Sequence, residues 1–168
     1  MSKIKRKRTG AHKPHRSFTY THWHILLASA TEPMAPAKRR HQLTAMWSGL
    51  ASIEHGHQPT THDWRVVSDA ANLMETLITQ GTATDAGGLL MDAITALAQA
   101  GQRHLAGGQI RLDGSGIHAI RALLEDYSSV LETLTERAMI TCHRDTEIRI
   151  RDILAGRKQP HDVEVIKL

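Results

Sequence analysis

Residues 117–138 read IHAIRALLEDYSSVLETLTERA, and within them Ile117, Ile120, Leu124, Tyr127, Leu131, Leu134 and Ala138 recur at alternating intervals of three and four. That alternation lays one apolar seam along an α-helix for three heptads. The next two seam positions are Thr141 and Asp145, so the seam lapses near Cys142. The helix either bends there or continues with a different face inward toward Ala155-Gly156. Unbroken from Ile117 to Ala155, it would be about 58 Å long at ~1.5 Å per residue. The seam has two uses. Packing against the chain's own helices, in a monomer, is the expected one, because those helices need a cover for their apolar faces. The sharper alternative is a homodimer interface over 117–138.

Upstream, the same period recurs in shorter pieces. From Ala37, the residues Leu43, Met46, Trp47, Leu50 and Ile53 share one helical face, and Gly56 stands where a C-terminal cap belongs. After the turn 56–60, Thr61 is the expected N-cap of a second helix, on which Trp64, Val67, Ala71, Met74 and Ile78 recur up to Gly81. A joint with Gly81, Gly87 and Gly88 precedes a third stripe, Leu90, Ala93, Ile94, Leu97, Gly101 and His104, which Gly107-Gly108 stops. Its small residues predict close approach of a neighbour. A brief extended piece over 109–116 runs into an Asp/Gly/Ser turn, and the tail HDVEVIKL reads as a short strand or an ordered arm. Six aromatic residues in 168 leave the core to Leu, Ile, Ala, Met and Val, a palette that favours helices. The expected fold is all-α: a small bundle of about four helices with a long C-terminal helix over 37–168, behind a basic, flexible arm and linker over 1–36.

The charge is divided by position. Residues 1–41 hold ten Lys and Arg against the single acid Glu32, a net of +9, while the remaining 127 residues carry 11 basic and 16 acidic side chains, a net of −5. The high isoelectric point belongs to the arm and not to the body. Lys3, Lys5, Arg6, Lys7, Arg8, Lys13 and Arg16 stand in a stretch with no apolar periodicity, which cannot bury enough surface to offset the entropy of ordering. Cations so spaced neutralise phosphates and release counterions. The interleaved His12 and His15, then Phe18, Tyr20 and Trp23, add donors and stacking surfaces suited to single-stranded or loop nucleic acid. The competing readings are a solvated tail and a binder of acidic protein. Ser17 to Ala30 is a short run of aromatic and aliphatic residues, strand or helical turn, and 31–36 holds two prolines that break any helix. Lys38-Arg39-Arg40 extends the basic set; cations at a helix N-terminus are disfavoured, which hints at use outside the fold.

Other chemistry is sparse. Of the 12 histidines, His22-x-His24 and His55-x-His57 with His62 have metal-like spacing, yet alternate residues in a loop need not converge, so no metal and no cofactor are expected. There is no Gly-rich phosphate loop of the required form and no His-Glu-x-x-His, and Gly114-Ser115-Gly116 lacks the frame of a nucleophile elbow. Cys142-His143 sets a thiol beside an imidazole, but helical neighbours point about 100° apart. Asp162, Glu164 and Lys167 resemble a nuclease set with the lysine one residue too far. An enzyme is not expected. The lone Cys142 excludes an internal disulfide and fits a reducing cytoplasm. The apolar run 23–30 is shorter than a signal segment and interrupted by His24, and no run is long enough to span a bilayer, so no membrane is expected as a partner.

The basic opening (Lys5 to Arg8, then Lys13-Pro14), the Asp63-Trp64 helix over 61–72, Arg103-His104 before a Gly-rich turn, Leu112-Asp113-Gly114 and a long closing helix together resemble a loose group of small proteins from bacteriophages, prophages and related mobile elements. The resemblance carries no activity and no functional residue. It implies an accessory protein acting on host or element nucleoprotein. The function expected from the sequence is thus non-enzymatic binding of nucleic acid or a nucleoprotein complex. The alternatives are a protein-directed inhibitor of a host complex, of anti-defence type, and a small metal-dependent nuclease.

Overall fold

The computed structural model describes residues 18–85 and 87–157. Among these residues there are six helices, α1 (His22–Leu27), α2 (Pro36–His55), α3 (Thr61–Thr79), α4 (Leu89–Leu105), α5 (Gly114–Thr133) and α6 (Glu136–Leu154). Among the described residues there is no strand, only an isolated antiparallel bridge between Pro33 and Thr135. The all-α class stands, with six helices where about four were expected. The undecided run 17–30 contains α1, and the long closing helix is two.

Local chemistry sets the ends. Pro36, read from the sequence as a breaker, is the first residue of α2, where its missing N–H is no loss. Thr60, one residue before the expected cap, caps α3: it accepts from Asp63 N at 3.2 Å while Asp63 accepts from Thr60 N at 2.8 Å. Asp113 opens α5 by accepting from Gly116 N at 2.7 Å. The break at 134–135 has the same cause. Thr135 caps α6, its hydroxyl accepting from Ala138 N at 3.2 Å, and Leu134 is extended at φ −72°, ψ 127°. The carbonyl of Leu134 then accepts from Met34 N at 3.0 Å, so the proline-rich linker is seated in the gap between the two helices.

The helices α2 and α3 form one antiparallel hairpin and α4 and α5 another. The central helix is α3, which touches α2, α4, α5 and α6, while α1 lies on the outside of α6. Ile120, Leu124, Tyr127, Leu131 and Leu134 of the seam are at most 4% exposed, all within the single core. The close approach expected of α4 is met by α5, where a Cβ added at Gly116 would lie 2.8 Å from that of Ala96. Three polar pairs cross between helices: Trp64 Nε1 donates to Leu97 O at 2.9 Å, Gln42 Nε2 to Tyr127 Oη at 2.7 Å, and the Thr76 and Thr146 hydroxyls share a bond of 2.7 Å. No described helix is long and apolar enough to cross a membrane.

Candidate nucleic-acid interface

The cations of the arm, Lys3 to Arg16, lie outside the described residues, but the point where the arm joins the body is defined in detail. Residues 18–29 run antiparallel along α6 and are held by three of its arginines, Arg137, Arg144 and Arg151. Spaced by seven, these three share one face of the helix. Arg151 lies over the Phe18 ring at 3.7 Å and Arg144 at 4.6 Å, a double cation–π contact. Arg144 Nη1 also donates to Tyr20 O at 3.2 Å. Thr19 N donates to both carboxylate oxygens of Glu147 at 3.1 Å, and the Thr19 hydroxyl donates to the same group. Farther along, Arg137 donates through Nε and Nη2 to Ala28 O at 3.1 and 2.9 Å, and its backbone N to Ser29 O at 3.0 Å. The Tyr20 ring packs against His143 at 5.4 Å and His24 at 5.8 Å.

Phe18 is therefore held beside the C-terminal half of α6, where Arg144 and Arg151 suit the helix dipole. Next to this root, α1 leaves Trp23, Leu26 and Leu27 at 72%, 65% and 84% exposure, with an indole free for stacking. Lys38, Arg39 and Arg40 stand on the first turn of α2, at the other end of α6. Lys38 is paired with Glu136, whose hydrogen bond and charge raise the pKa of the lysine. Arg39 is half-buried and Arg40 exposed. Glu136 and Arg151 are separated by roughly 20 Å along the helix at ~1.5 Å per residue. Phe18, the first described residue after the arm's cations, and Lys38 thus lie toward opposite ends of α6.

His55, His57 and His62 are all exposed. His55 Nε2 lies 3.4 Å from Glu54, which is itself held by Arg121 at 2.6 Å, and the His57 carbonyl accepts from Arg111 at 3.3 Å. Among the described residues no group of three His, Cys, Asp or Glu side chains is placed to hold a metal. Cys142 is buried with its thiol toward Leu73 O at 3.4 Å, and burial pushes that thiol up to about 12. Burial also lowers the pKa of His143, whose ring is tilted against that of Tyr20 at 5.4 Å. Asp162, Glu164 and Lys167 lie outside the described residues.

The arginine ridge of α6 escaped the sequence reading, though Arg137, Arg144 and Arg151 at sevenfold spacing were visible in it. No family model, curated protein or solved structure matches the chain.

Proposed function

We propose that the chain is a non-enzymatic nucleic-acid-binding protein, an accessory factor of a phage or mobile element, which captures nucleic acid through residues 1–16 and carries it on a rigid helical body. The observation behind this reading is the anchorage of Phe18, Thr19 and Tyr20 on α6. A merely solubilising tail has no need of a root fixed by two guanidinium groups and a carboxylate. With the root fixed, the arm's seven cations act at one place on the body, beside an exposed indole.

The test is a mobility shift with a 30-nucleotide single strand, comparing the full chain with a protein lacking residues 1–16. Retention is expected to vanish with the arm while circular dichroism stays helical. Seven neutralised phosphates set an upper bound of about −5 on the slope of log K against log salt for a single strand. Equal binding by the shortened protein, or binding indifferent to salt, refutes the proposal. A second reading, an inhibitor that occupies a host protein complex, is favoured by the apolar face of α1, since Leu26 and Leu27 gain nothing from a phosphate backbone. Loss of nucleic-acid binding with the arm present would move the argument to that face.

A further inference from the structure

A recess of about 670 Å³ opens between α2, α3 and α6, bounded by Tyr20 and Met34 of the segment that precedes α2. Its size is that of a small-molecule site. Three of its apolar groups are methionines from three separate parts of the chain: Met34 from the linker, Met46 from α2 and Met139 from α6. Thioether side chains adapt to the shape of an occupant more readily than branched ones.

One charged group in this wall is unanswered. Asp69 of α3 faces the recess and keeps solvent access, yet no hydrogen bond or ion pair reaches it from any described residue. Apolar neighbours desolvate its carboxyl and push it up to about 6, against the opposing charges of Arg65 and His62 on its own helix. The ammonium that lines the recess, Lys38 of α2, is taken by Glu136. His41 of α2 and His143 of α6 complete the titratable lining, with the Tyr20 phenol at the edge. An apolar occupant would cut Asp69 off from solvent, a loss that an occupant with its own charged donor offsets and one without it does not.

We propose that the recess binds a small organic amine, with its hydrocarbon body among Met34, Met46 and Met139 and its ammonium on the Asp69 carboxylate. The proposal does not rest on nucleic-acid binding, although Tyr20 at the root of the arm borders the recess. Matched probes isolate the head group: 1-naphthylmethylamine, 1-naphthylmethanol and 1-naphthoic acid share the apolar body and differ in what they offer Asp69. Titrated at pH 7.5 into the full chain carrying carbon-13 methionine methyls, the amine is expected to shift the Met34, Met46 and Met139 resonances. It is also expected to bind at least about tenfold tighter than the alcohol or the acid, the advantage of a hydrogen bond between charged partners. Asp69→Asn should bring the amine down to the level of the alcohol, and Ala45→Trp, which fills the recess from an exposed position on α2, should abolish all three. Methyl resonances that no probe moves, equal affinity for the three heads, or an amine preference that survives Asp69→Asn would each overturn the proposal.

Discussion

Replacing Gly49 by alanine sets two effects of known sign against each other. Gly49 is buried in the interior of α2, where an exposed Gly→Ala change gains about 1 kcal/mol of helix propensity. Here the added Cβ would lie 2.9 Å from the carbonyl oxygen of Asp63 and 3.2 Å from Val67 Cγ2. The first of these is backbone in the opening turn of α3, held by the Thr60–Asp63 capping box, so it has little freedom to retreat. Relief requires the two helices to separate, and overpacking of this kind costs about 1–3 kcal/mol. The net expectation is a destabilisation of about 1–2 kcal/mol, which lowers the urea midpoint by roughly 0.5–1 M at unchanged slope. Gly114→Ala is the control, since a Cβ there meets nothing within 4 Å; it should leave the midpoint unchanged or raise it slightly. A Gly49→Ala protein as stable as its parent would show that α2 and α3 are not in the tight contact described.

Two further outcomes are expected. Asp69 has a folded pKa of about 6 against an ordinary 3.8, so between those values the folded chain holds a proton that the unfolded chain has released, and its penalty on stability is complete above pH 6 and gone below 3.8. Asp69→Asn should therefore raise the thermal midpoint at pH 7.5 and leave it level with the parent near pH 4; the lowered carboxylates Glu54, Asp63 and Asp113 and the lowered His143 act equally in both proteins, and a gain that is constant with pH would contradict the assignment. Leu131→Asp buries a carboxylate at a fully enclosed position and should abolish helical ellipticity; a mutant that stays helical at half the parent's mass by light scattering would instead make the seam an interface between copies.

Period carried the body of the fold. The stripes on α2, α3, α4 and α5 are local facts, and each fell on a helix of the expected place and face. The division of the last helix was hidden because Leu134 occupies a seam position and is buried whether or not the helix stops there. What distinguishes the cases is the hydroxyl of Thr135 turning back on Ala138, and a linker from a hundred residues earlier supplying Met34 N. An apolar run such as 23–27 gives no sign that Trp23, Leu26 and Leu27 face outward. The arm was legible as charge, its root was not, because the groups that fix it come from α6. Asp69 reads in sequence as one more acid on the polar side of a helix; only the meeting of α2, α3, α6 and the linker puts it in a recess.

The seating of residues 18–34 against α6 spans sequence separations of 109, 124 and 128 residues in its hydrogen bonds from Arg137, Arg144 and Thr19. A ribosome delivers the two partners in the opposite order from that in which they are useful. The amino-terminal segment emerges first and has nothing to lie on until α6 has left the exit tunnel, by which time α2 to α5 have had the chance to pair as hairpins. Closing so long a loop is slow compared with forming those local pairs. Until α6 is made, residues 18–34 are thus joined through Pro33 and Pro36 to a nascent body that lacks their dock, and α6 is the helix that draws them in.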